Sequence, residues 1–83
     1  MDTNLKLIVE LSKHVIAKEP DLNYLFSQLL IEAEKKKKDL NGKGTVESIN
    51  WLIHESEYMN HPNFCDRSRA TLHSLLFEEL NQL

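Results

Sequence analysis

The chain has 83 residues, a net charge of −3 and 41% hydrophobic residues, which allows one domain spanning 1–83 and leaves little volume for a deep catalytic cleft. That charge balance argues against a dedicated nucleic-acid binder, which needs a concentrated basic face. The lone Cys65 excludes an internal disulfide and fits a reducing compartment.

The opening "MDTNLKLIVELSKHVI" is amphipathic and not signal-like. No run approaches the roughly 20 apolar residues that span a bilayer. The expected location is cytoplasmic, with peripheral contact at the inner membrane face left open.

The first helical period covers about 5–18. Leu5, Ile8, Val9, Ser12, Val15 and Ile16 share a face, with Leu11 beside it. Pro20 ends that helix, because it lacks an N–H and clashes with the preceding turn, and it suits the first turn of the next. The second helix is expected over about 20–40, with Leu22, Leu25, Phe26, Leu29, Ala33 and Leu40 inward. "LNGKGT" is the clearest turn, with Asn41 and Gly42 suited to a left-handed cap. Thr45 is the expected N-cap of a third helix over about 46–59, whose inner face holds Val46, Ile49, Leu52, Ile53, Ser56 and Met59. Pro62 closes it. Asp66 is the expected cap of a fourth helix over about 67–82, with Leu72, Leu75, Leu76 and Leu80 inward and Phe77 at the margin. Short connectors favour antiparallel neighbours, so the predicted fold is an all-α antiparallel four-helix bundle.

The stretch "SINWLIHESEYMNHPNF", Ser48 to Phe64, holds the only Trp, one of two Tyr and two of four His. At 100° per residue from Ile49, Trp51 and Tyr58 fall at about 200° and 180°, opposite the core stripe, with His54 at about 140°. Two readings follow. Trp51 packs under a terminal segment or the first helix, or it anchors a protein partner, as aromatics do in many interfaces. Tyr24 and Ile31 form a similar off-core pair on the second helix. The candidate partner-binding set is Trp51, His54, Tyr58, His61, Phe64, Tyr24 and Ile31.

His54, Glu57, His61 and Cys65 are spaced three, four and four apart, but Pro62 interrupts the run and no C-x-x-C or H-E-x-x-H is present. Neither a metal nor any other cofactor is expected. A single Cys in so small a bundle is read as inert filling, and no enzyme activity is expected. Lys35, Lys36, Lys37 and Lys38 lie where a helix C-terminus favours cations, with Glu32–Lys36 and Glu34–Lys38 pairs at i,i+4. The alternative for this run is contact with anionic headgroups or an acidic partner.

Four amphipathic helices, with "LLIEAEKKKKDL" in the second, "INWLIHE" in the third and "RATLHSLLFEEL" in the fourth, resemble the immunity proteins that protect lactic acid bacteria and streptococci from class IIa (pediocin-like) bacteriocins, the enterocin A immunity family. The likeness covers about residues 5–82. It implies a non-catalytic role inside the cell, with recognition of a membrane receptor, the mannose phosphotransferase permease, once bacteriocin engages it. It places recognition in the half from Val46 to Leu83, where Trp51, Tyr58 and "MNHPNF" are the expected contacts. The competing reading is a small helical adaptor or regulator that acts through partner binding or weak dimerisation by way of Trp51, Tyr24 and Ile31.

Overall fold

A computed structural model of the chain describes residues 3–55 and 65–83, which form an all-α bundle. In chain order come α1 (Thr3–Lys18), a 3-10 turn (Pro20–Leu22), α2 (Asn23–Lys35), α3 (Lys37–Leu40), α4 (Thr45–His54) and α5 (Asp66–Asn81). The Cα extents are 31 × 30 × 17 Å. Packed helices stand about 8–10 Å apart, so the short dimension holds two layers.

Helix α1 touches every other described helix, which is why its apolar face is broad. Leu5, Ile8, Leu11, Ser12 and Val15 are buried along it, while Val9 and Ile16 sit half-buried at its edges. Ser12 tolerates this place because its hydroxyl donates to the Ile8 carbonyl at 2.8 Å. The helix closes where the Glu19 amide reaches the Val15 carbonyl at 2.8 Å. Glu19 itself turns to φ −131°, ψ 71°, as the residue before a proline must.

The single helix expected over 20–40 is divided. Pro20 opens a 3-10 turn closed by the Leu22 amide on the Glu19 carbonyl at 3.0 Å. Lys36 then leaves the helical region at φ −104°, ψ 17°. That break displaces the expected Glu34–Lys38 pair, and Glu34 bonds Lys37 at 3.2 Å instead. The one-turn α3 still delivers Leu40 to full burial. Leu25, Phe26, Leu29 and Ala33 are the buried face of α2.

The next reversal is a β-turn. The Lys43 amide bonds the Leu40 carbonyl at 3.1 Å, Asn41 has φ −61°, ψ 128°, and Gly42 has φ 84°. These are the values of a type II turn, which needs a left-handed residue third in line. No neighbour lies within 4 Å of a Cβ built on Gly42, so backbone conformation alone explains glycine there.

Two cap expectations are corrected. Gly44, at φ −72°, ψ 171°, occupies the N-cap of α4, and Thr45 is its first helical residue. Cys65 occupies the N-cap of α5, and Asp66 follows inside the helix. Gly44 has no side chain to offer the first amides of α4. Asp66 pairs with Arg69 one turn on, which offsets a cation in the unfavourable first turn. Ile49, Leu52 and Ile53 of α4 and Leu72 and Leu76 of α5 are buried as expected. Val46 is not; it is 50% exposed at the start of α4, beyond the reach of the core. Helix α4 closes at His54, with Glu55 at φ −121°; Ser56 to Met59 of the expected helix lie outside the described residues.

Candidate functional site

Along α4 and its C-cap, Glu47, Asn50, Trp51, His54 and Glu55 recur at helical spacing. With Lys43 they line an open cavity of about 300 Å³. The type II turn before α4 sets the Lys43 ammonium 5.9 Å from the centre of the Trp51 ring, within cation–π range. The turn is held from a distance by Asn4 on α1. Its amide nitrogen donates to the Lys43 carbonyl, and its amide oxygen accepts from the Thr45 hydroxyl at 2.8 Å. Thr45 therefore serves the loop rather than the cap.

Helix α5 packs beside α4 and reaches the residues that line the cavity without lining it itself. His73 shares a hydrogen bond with the Asn50 side-chain oxygen at 3.1 Å. Its ring lies 5.9 Å from that of His54 and 4.4 Å from Phe77, tilted in both cases. Holding His73 by Asn50 on one side and Phe77 on the other fixes the side chain next to the cavity. The site thus joins an indole, two imidazoles, an amide, one ammonium and two carboxylates. It suits a polar peptide surface with an apolar or aromatic contact at its centre.

The sequence-derived candidates divide. Trp51 and His54 meet at this cavity, but Trp51 is half-buried and packs against the core cluster. The sequence left open whether Trp51 packs or stands exposed; one side of it packs on the core and another borders the cavity. Tyr58, His61 and Phe64 lie outside the described residues. Tyr24 and Ile31 are 58% and 48% exposed on α2, and neither lines the cavity. Lys35, Lys37 and Lys38 are exposed and Lys36 is half-buried. Lys43, Asn50 and His73 were missed from sequence. Asn50, at about 100°, falls next to His54 on the wheel and was legible in principle; Lys43 depends on a turn held by Asn4, and His73 on the packing of α5.

Two further groups carry unusual charge. Glu79 is only 7% exposed. It accepts from the Lys18 ammonium at 2.6 Å and stands 4.0 Å from His14, tying the end of α1 to α5. The Lys18 pKa is raised by the Glu79 hydrogen bond, against some desolvation, with added attraction from Glu79 and Glu78. Cys65, read from sequence as inert filling, is exposed. Its thiol is lowered to about 7, first by the Ser68 hydroxyl and then by the Ser68 and Arg67 amides at the open end of α5.

Among the described residues, no cluster of three His, Cys, Asp or Glu stands ready to hold a metal ion, and no helix is long and apolar enough to cross a membrane. No family model matches the chain, and neither a curated protein nor a solved structure matches it significantly.

Proposed function

We propose that this chain is a non-catalytic binding protein that docks a protein partner on the α4–α5 face. The observation that carries this reading is the open cavity in which Lys43, Asn50 and His54 surround a half-buried Trp51. A rigid indole among adaptable polar groups is the composition of an interface anchor.

The partner reading rests on the resemblance to the immunity family for pediocin-like bacteriocins. On that reading the protein protects a producer cell from the cytoplasmic side by engaging the mannose permease after toxin binds it. The 3-10 turn, α2 and α3 then count as one broken arm of an antiparallel four-helix bundle. Exposed Lys37 and Lys38, beyond the end of α2, face anionic headgroups beside the receptor.

The test is a protection assay. The chain is expressed in a bacteriocin-sensitive host that carries the permease and is challenged with a panel of pediocin-like peptides. Selective survival is expected, and Lys43→Glu and His54→Ala should each reduce it while circular dichroism stays helical. Full sensitivity to every peptide, with folded protein present, removes the immunity reading. The cavity's partner is then sought by cross-linking from position 54.

A further inference from the structure

We propose that the outer face of α2 is an interface between two copies of this chain, paired antiparallel about a two-fold axis. The inference is independent of the α4–α5 cavity. Measured at 100° per residue from Tyr24, Ile31 lies at about −20°, Lys35 at about 20° and Gln28 at about 40°. Asp21 sits in the 3-10 turn just below Tyr24. The face therefore reads acid, aromatic, amide, aliphatic, base along its length. Asp21, Tyr24, Ile31 and Lys35 are exposed and Gln28 is half-buried.

Rotation of this face about an axis between Ser27 and Gln28 maps it onto its complement. Tyr24 meets Ile31 of the second copy, and Asp21 approaches Lys35 of the second copy; each contact occurs twice, as an isologous interface requires. Neither Asp21 nor Lys35 forms an ion pair among the described residues, so both are available across the axis. Antiparallel pairing also sets each helix's positive end beside the other's negative end. An unrelated partner would not need a face that is its own charge complement, and an anionic surface would be repelled by Asp21 and Glu34. A 13-residue helix is roughly 20 Å long. One such face buries less than the ~800 Å² per partner of a standard interface, so the dimer is weak and concentration-dependent.

Sedimentation equilibrium of the full chain, from about 10 µM to 1 mM in low salt, tests this. A reversible dimer is expected. Ile31→Glu should raise its dissociation constant about tenfold or more, since each substitution acts twice. Asp21→Lys alone should weaken it several-fold, roughly, and adding Lys35→Asp should restore it. His54→Ala should leave it unchanged, which separates this proposal from the cavity reading. In a Cys65→Ser background, Gln28→Cys should oxidise to a covalent dimer while Glu10→Cys, on α1, should not. A chain that stays monomeric up to 1 mM, or a dimer indifferent to positions 21, 31 and 35, overturns the proposal.

Discussion

Helices α2 and α4 both carry bulky apolar side chains away from the core stripe, yet the fold surrounds them differently. On α4, Trp51 is half-buried against the core, capped by the Lys43 ammonium and bordered by an open cavity. On α2, Tyr24 and Ile31 stand 58% and 48% exposed, and Tyr24 makes no ring contact among the described residues. An aromatic off the core stripe is thus not one structural signal. Its meaning depends on which loop lands over it. The Asn41–Gly42 turn lays Lys43 across Trp51, whereas nothing among the described residues covers the outer face of α2. A covered aromatic is a stability element as well as a contact; an uncovered one is a contact only.

The largest test of this contrast is truncation. Trp51→Ala should cost about 2–3 kcal/mol, less than the 3–5 of a fully buried aromatic because part of the indole already meets water. Tyr24→Ala and Ile31→Ala should each stay within about 0.5 kcal/mol. Urea denaturation, run at concentrations too low for self-association, measures all three. Equal losses on the two helices would abolish the distinction.

Much of the bundle was legible because a buried stripe repeats at the helical period and needs no knowledge of its partner. Leu25, Phe26, Leu29, Ile49, Leu52, Leu72 and Leu76 are buried where that period places them. The misses share a cause. Val46 falls in phase with Ile49 but sits 50% exposed at a helix end, and a wheel carries no information about ends. The break at Lys36 follows no proline or glycine. Thr45 has the chemistry of a cap but is claimed by Asn4, 41 residues away. Glu79 looks like a surface residue until α1 brings Lys18 and His14 to it. The site was legible only as far as Trp51 and His54, since Lys43 and His73 reach it through tertiary packing.

A middle-sized effect isolates what covers Trp51. Asn4→Leu leaves the Lys43 carbonyl and the Thr45 hydroxyl without the partners that hold the turn in place. It should cost about 1–2 kcal/mol. The more specific readout is Trp51 fluorescence, which is clean because the chain has one Trp. Acrylamide quenching should rise as Lys43 comes away from the ring. Unchanged quenching in a destabilised protein would mean that the indole is sheltered by the core alone, and α4 would then differ from α2 only in depth.

The smallest effect concerns charge, and a thiol on each side of the molecule reads it. Cys65 at the open end of α5 is lowered from 9.0 to about 7, so its alkylation rate should reach half its maximum near pH 7. Ile31→Cys in a Cys65→Ser background places a thiol in mid-helix on α2, away from free amides, and should titrate above about 8. Ser68→Ala should move the Cys65 midpoint upward, because the Ser68 hydroxyl is the leading cause of the shift. The linked effect on folding has a definite sign. The folded thiol releases its proton more readily than the unfolded one, so its stabilisation is fully present above pH 9.0 and is lost as pH falls through about 7. Matching midpoints for the two thiols would show that the α5 amides do not act on Cys65, and the difference between the two faces would then be one of packing and not of electrostatics.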